Sequence, residues 1–187
     1  LTSQSISSMA GHNKWSKIKH KKAVTDAQKS RIFSKHAAAI TIEVKNAGGD
    51  TSAANVVAAV ERAKKDSMPK DNIERALQKG AGADADTYQS VVFEAFGPGG
   101  VGMIITAVTD NNNRTAPELR NIFSKAGYQL GVPGTAMWAF TKTNTGYTPN
   151  QPVELSESDG EKLANLISTL EEQDDVQDIY TTADEPD

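Results

Sequence analysis

Apolar residues recur at intervals of three and four between residues 25 and 80, then give way to runs rich in β-branched and aromatic residues beyond residue 87. From about Thr25 to Ala47, the residues Phe33, Ala37, Ile40, Val44 and Ala47 share one face of a predicted helix, which Gly48 and Gly49 stop. A second helix is expected from about Ser52 to Asp66, capped by Asp50 or Thr51 and burying Val56, Ala59, Val60 and Ala63. Pro69 suits the first turn of a third, in which Ile73, Ala76 and Leu77 share a face until Gly80 ends it. Three short helices, each with one apolar stripe, make a small bundle.

The stretch AGADAD, residues 81–86, reads as a linker of small and acidic residues. Two strand-like runs follow, about Tyr88 to Phe96 and Val101 to Val108, and Gly97, Pro98, Gly99 and Gly100 between them suit a hairpin turn. Thr115 with Glu118 three residues on, and Pro117 between, has the form of a capping box; it predicts a helix to Ala126 that buries Leu119, Ile122 and Phe123 and is closed by Gly127. Further strands are expected at Gln129 to Val132 and Ala136 to Thr141. After a polar connector, Ser158 and Glu161 start a helix with Leu163, Leu166, Ile167 and Leu170 inward, and Val176 to Thr181 forms a last, edge strand.

This order predicts an α+β protein: an N-terminal three-helix domain with a basic arm, followed by an α+β sandwich with a mainly antiparallel sheet and helices on one of its faces. The expected divisions are a disordered extension at 1–8, the arm and helical domain at 9–80, the linker at 81–86 and the α+β domain at 87–187. Residues 1–8 lack the basic and apolar regions of a secretory signal, and the arginines a transit peptide would want.

Charge sharpens the division. Residues 1–80 hold 15 of the 20 Lys and Arg against seven acids, a formal +8, whereas the remainder holds five bases and 17 acids, a formal −12. The net charge of −4 hides the split. Lys14, Lys17, Lys19, Lys21, Lys22, Lys29, Arg31 and Lys35, with His12, His20 and His36, face Asp26 alone among acids in residues 10–36. Such a surface fits a polyanion. Lysine and arginine contacts to phosphate release counterions and dominate nucleic-acid affinity. Trp15, beside Lys14 and Lys17, adds a plane on which an unpaired base can stack, and His20 adds a phosphate donor. The plainer alternative is a solvated lysine-rich face with Trp15 anchoring the arm to the bundle. In DNNNRT, residues 110–115, Asn111, Asn113 and Arg114 stand just before the expected helix, where backbone N–H groups attract anions; a turn with left-handed asparagines is the alternative.

Other chemistry finds little support. The histidines have no Cys, Asp or Glu at metal-ligand spacing, so no metal site or cofactor is expected. The absence of cysteine excludes disulfides and thiol nucleophiles and agrees with a cytoplasmic location, or the mitochondrial matrix in a eukaryote. No apolar run approaches the ~20 residues that span a bilayer, and the arm lacks the apolar face that a membrane surface requires. No arrangement of serine, histidine and acid suggests an enzyme or a small-molecule substrate. The run Glu171, Glu172, Asp174 and Asp175 reads as a solvated helix end.

Five segments in order, MAGHNKWSKIKHKK (9–22), DAQKSRIFSK (26–35), SMPKDNIERALQKGAG (67–82), FEAFGPGGVGMII (93–105) and TDNNNRTAPELRNIFSKAGYQLG (109–131), closely resemble the YebC/PmpR family, and PVELSESDGEKLANLISTLEEQDDVQDIY carries the resemblance through to residue 180. That family includes bacterial proteins named as probable transcriptional regulators and the mitochondrial translational activator of cytochrome oxidase. The resemblance implies an N-terminal helical domain followed by α+β domains. It also implies either binding to duplex DNA or action on the ribosome, with contacts to ribosomal RNA and relief of stalling at proline-rich stretches. Typical members carry a further α+β domain between the strand matching Ala136 to Thr141 and the segment matching Thr148 to Val153, where this chain has a short connector.

The expected function is therefore that of a non-enzymatic nucleic-acid-binding regulator of gene expression. The first reading is a translation factor gripping ribosomal RNA through Lys14, Trp15, Lys17, Lys19, His20, Lys21 and Lys22. Lys29, Arg31 and Lys35 would extend the stripe, and Asn111, Asn113 and Arg114 would add a second contact. A DNA-binding transcriptional regulator is the alternative, and a protein-interaction module built on the acidic α+β domain is a third reading. Phosphate contacts alone do not reveal which polymer is read.

Overall fold

Residues 25–184 are described by a computed structural model. Their first helix, α1 (Asp26–Asn46), starts where the Thr25 side chain accepts the Gln28 N–H and Gln28 Oε1 accepts the Thr25 N–H at 2.8 Å, a reciprocal capping box. It stops at Gly48 and Gly49, both at positive φ. Their N–H groups bond to the carbonyls of Lys45 and Val44, closing the helix on backbone that glycine adopts without strain. The next helix, α2 (Ala54–Lys65), lacks the expected side-chain cap. The Asp50 carboxylate instead accepts the N–H and hydroxyl of Ser52, tying the preceding turn and delaying the helix to Ala54. It closes as α1 does, with Ser67 and Met68 donating to the carbonyls of Lys64 and Ala63, but here the left-handed position holds Ser67 at φ 63°.

The third helix, α3 (Lys70–Ala81), follows Pro69, which stands one residue outside it. Gly80 does not end this helix as expected. It is buried within the last turn, where a Cβ would lie 2.6 Å from the Val44 Cβ and 2.7 Å from the Thr41 carbonyl oxygen. The glycine is needed for close approach of α3 to α1. Ile40, Val44, Val56, Ala59, Ala63, Met68, Ile73 and Ala76 form the bundle's core. Residues 83–87, overlapping the stretch read as a linker, form a 3-10 turn with Ala85 buried. Beside it, Lys45 donates to the Tyr88 carbonyl at 2.8 Å and Lys79 to the Tyr88 hydroxyl at 2.8 Å.

The α+β class expected of the chain is what folds. β1 (Gln89–Phe96), β2 (Gly102–Thr109) and β5 (Val176–Thr181) make an antiparallel sheet in the order β1-β2-β5. The central strand, β2, is the most deeply buried. On one face, Met103, Ile105, Val176 and Ile179 pack under Leu119 and Phe123 of α4 (Asn112–Lys125) and Leu163, Leu166, Ile167 and Leu170 of α5 (Glu157–Glu171). On the other, Ile104 and Tyr180 meet Phe140 from a separate hairpin, β3 (Phe140–Thr143) and β4 (Gly146–Pro149), with the Tyr147 ring edge-on to Tyr180 at 5.3 Å. Gly146 makes that closure fit, since at φ 136° a Cβ would fall 2.2 Å from the Tyr180 hydroxyl.

Several expectations shift for local reasons. α4 begins at Asn112, capped by the Asn111 side chain, so Thr115 and Glu118 lie inside it and do not form its capping box. Thr115 is buried and bonds to Thr109 and Asp175. α5 begins two residues earlier than expected, because the Ser156 hydroxyl accepts the Asp159 N–H at 3.1 Å. The expected strand at Gln129 to Val132 is reduced to one bridge, between Leu130 and Ala95. Beyond it the chain wraps the buried Glu94 carboxylate, which accepts the N–H groups of Gly134, Ala136 and Met137 at 2.8, 2.7 and 2.7 Å. Burial works against the charge on Glu94, but these three donors outweigh it and hold the carboxyl below its ordinary range.

Replacement of Gly80 by alanine is expected to destabilise the protein by roughly 1–3 kcal/mol despite alanine's better helix propensity, because the methyl group must push α1 and α3 apart. Ser67→Gly is expected to stabilise it by up to about 1 kcal/mol, since the cost of a left-handed serine exceeds glycine's extra freedom in the unfolded chain. Urea unfolding midpoints check both signs.

Candidate nucleic-acid interface

Seven of the residues expected to grip nucleic acid, Lys14, Trp15, Lys17, Lys19, His20, Lys21 and Lys22, lie outside the described residues, as do His12 and the 1–8 extension. Those that can be placed begin on α1. At 3.6 residues per turn, Arg31 and Lys35 fall on one face of that helix, about 40° apart, while Lys29 lies roughly 160° from Arg31. Lys29 is exposed. The other two turn toward the sheet.

Lys35 Nζ donates to the Glu171 carbonyl at 2.7 Å, at the carboxyl end of α5. Gln177 of β5 returns a bond of 3.2 Å to the Lys35 carbonyl. Arg31 Nε stands 3.7 Å from Asp174 Oδ1. Burial pushes the Lys35 ammonium down to about 8; Arg31 adds to the fall, while Glu171, Asp174 and Asp178 oppose it. The reading of Arg31 and Lys35 as a continuation of a free positive stripe is therefore corrected. In this conformation their donors are turned onto the acidic end of α5.

The second expected contact is also internally engaged. Arg114 donates to both oxygens of Asp175, at 3.1 and 2.9 Å, and to Asp110 Oδ1 at 3.2 Å. Asp175 further accepts the Thr115 hydroxyl at 2.6 Å. Burial disfavours its charge, but the bonds from Thr115, Arg114 and Gln173 prevail and its carboxyl is held low. Asn111 accepts the Asn113 N–H at 3.1 Å, so this pair caps α4 and that donor is already occupied. An open cleft of about 750 Å³ lies between α1 and this region. Asp110, Glu118, Glu172, Asp174 and Asp175 line it against the single guanidinium of Arg114, a field that repels phosphate.

His36 Nε2 lies 2.6 Å from Asp66 Oδ2 and ties α1 to the α2–α3 turn. Among the described residues, no group of three or more His, Cys, Asp and Glu is placed to hold a metal ion, and no helix is long and apolar enough to cross a membrane. The hub role of Asp175 and the pairing of Asp174 were missed in sequence, where the acidic run reads as solvated. The signal available was the charge split itself, since lobes of +8 and −12 attract.

A family model described as the TACO1/YebC protein N-terminal domain matches residues 13–83. A second, described as the TACO1/YebC second and third domain, matches residues 88–145 and 141–183, so its two pieces meet in the β3–β4 hairpin. A protein of Desulfatibacillum aliphaticivorans, named a probable transcriptional regulatory protein, is 34% identical over 241 positions that cover 96% of this chain and 98% of that protein. Since 96% of 187 residues is about 180, some 60 positions of that relative have no counterpart here. A protein of the same description from Thermus thermophilus is 34% identical over 236 positions, covering 94% of this chain and 97% of that one. The solved structure of a conserved hypothetical protein from Aquifex aeolicus superposes with a TM-score of 0.80 at 27% identity, covering 91% of this chain and 96% of that one.

The buried ammonium has a pH signature. With the folded Lys35 titrating near 8 and the unfolded one near 10.5, the unfolded chain binds more protons between those values, so stability attributable to this group rises with pH across that window. Lys35→Met removes the rise. The difference in thermal midpoint between variant and wild type is expected to be constant below pH 8 and to shift in favour of the wild type between pH 8 and 10.5, as measured by calorimetry.

Proposed function

This chain belongs to the TACO1/YebC family, and on that premise we propose that it is a nucleic-acid-binding regulator of gene expression without catalytic activity, acting as a translation factor that contacts ribosomal RNA and relieves stalling. The observation that carries the reading is the segregation of charge. Residues 1–80 carry a formal +8, and eight bases crowd residues 14–35. With Arg31, Lys35 and Arg114 engaged inside the molecule, the phosphate contacts fall to Lys14, Lys17, Lys19, His20, Lys21 and Lys22, with Lys29 at the start of α1 and Trp15 as a stacking plane. It acts in the cytoplasm, or in the matrix of a eukaryotic mitochondrion.

Binding to duplex DNA is the second reading, favoured by the name that the bacterial relatives carry. Helices α2 and α3 are joined by only four residues, as in a helix-turn-helix, yet the leading turns of α3 weigh against base reading there. Asp71 and Glu74 stand among its exposed residues, Lys70 is paired with Glu74, and Arg75 bonds to Asn72. These features support the RNA-binding arm over a recognition helix.

Crosslinking in cells followed by sequencing of the attached nucleic acid, with sedimentation through sucrose gradients, separates the two. Ribosomal RNA is the expected product, and promoter DNA without ribosomal RNA would overturn the preferred reading. In vitro, replacing Lys19, Lys21 and Lys22 together by glutamate is expected to abolish RNA binding and its steep salt dependence while shifting the thermal midpoint little.

A further inference from the structure

The following rests on the nucleic-acid-binding reading above. We propose that the acidic carboxyl end of α5 is an internal competitor of nucleic acid: it holds Arg31 and Lys35, so that release of the α1–α5 contact and engagement of a phosphate chain are coupled. Three contacts make this latch, from Lys35 Nζ to the Glu171 carbonyl at 2.7 Å, from Arg31 Nε to Asp174 at 3.7 Å, and from Gln177 to the Lys35 carbonyl at 3.2 Å. All three bind one face of α1, the helix that continues directly from the basic arm.

The chemistry of the latch resembles that of a phosphate chain. A helix carboxyl end combines unpaired carbonyls with the negative pole of the helix, and here Glu171, Glu172 and Asp174 add carboxylates. To a guanidinium or ammonium this is an oxygen-rich anionic surface, the same class of acceptor that a row of phosphates offers. The sequence places no base of the α+β lobe between Lys162 and the end of the chain, so the acidic run draws its cations from elsewhere. Arg114 serves Asp175, while Arg31 and Lys35 serve the helix end. Strength favours exchange. The Arg31–Asp174 pair is partly solvated, with Asp174 76% exposed, and such pairs are weak enough for a multivalent anion to displace. By linkage, nucleic acid shifts the latch toward its open state by the same factor by which opening the latch raises the affinity for nucleic acid.

The test uses the full chain and anisotropy of a short fluorescein-labelled single-stranded RNA. Asp174→Asn frees Arg31 while leaving the buried contacts in place, and is expected to tighten binding about two- to fivefold and to steepen the log–log salt slope by up to about 0.7, the increment for one added phosphate on a single strand. Glu157→Gln makes the same charge change at the opposite end of α5 and is expected to leave the affinity within twofold, about the noise of a single exposed charge. In the Arg31→Gln background, Asp174→Asn is expected to have no effect. Equal tightening with and without Arg31 would reduce the effect to general repulsion and overturn the latch, as would wild-type binding that Asp174→Asn leaves unchanged. Failure of the wild type and of every variant to bind either this RNA or a labelled duplex DNA of the same length would instead remove the nucleic-acid reading, and the competitor with it.

Discussion

The Lys35 ammonium against the Glu171 carbonyl joins two parts of the molecule that are otherwise built separately. α5 has no basic residue in its last turn and runs into Glu171 and Glu172, so the negative pole of that helix is left to be met from outside. Lys35 meets it from α1. The same helix carries Ile40 and Val44 into the bundle core and passes α3 at Gly80 without room for a methyl group. One helix is therefore fixed by apolar packing on one face, from Phe33 to Val44, and by polar contacts from Arg31, Lys35 and Lys45 to the second lobe. The orientation of the helical lobe over β2 and β5 depends on both being satisfied together. Burying the ammonium carries a cost, visible in its lowered titration point, which is offset by the carbonyl and surrounding carboxylates.

Legibility in the sequence followed the range of the interactions. The stripe Phe33, Ala37, Ile40, Val44 and the glycine pair after it announce α1 because helix periodicity and its closing turn are local. The edge position of β5 and the Gly-Pro hairpin between β1 and β2 were readable for the same reason. Gly80 was misread because a glycine near a helix end looks like a stop, and only the approach of Val44 and Thr41 from another helix reveals its packing role. Thr115 was misread in a similar way: its hydroxyl meets Thr109 and Asp175, the latter 60 positions away, and so does not cap a helix. The strand foreseen at 129–132 yielded to Glu94, whose buried charge recruits the backbone donors of the following loop.

The candidate interface shows the same limit. Composition picks out the cations as a group, but it does not show how those of α1 and α4 divide between solvent and protein. Arg31, Lys35 and Arg114 are directed inward by Asp174, Glu171 and Asp175, none of which is near them in sequence. A charge imbalance between halves of a chain can be addressed to an outside polymer, to the other half, or to both. In this fold the described Lys and Arg residues of α1 are divided: Lys29 is exposed, Arg31 and Lys35 face the acidic end of α5, and Lys45 bonds to the Tyr88 carbonyl.

The β3–β4 turn, where the two pieces of the family match meet, bears the mark of its brevity. In this chain the turn joins the two pieces directly and closes over the Tyr180 ring. Gly146 allows it, with a backbone angle and a clearance that other residues do not have. The hairpin is thereby tied to one achiral residue, and any lengthening there must first lift the phenol that serves as its floor.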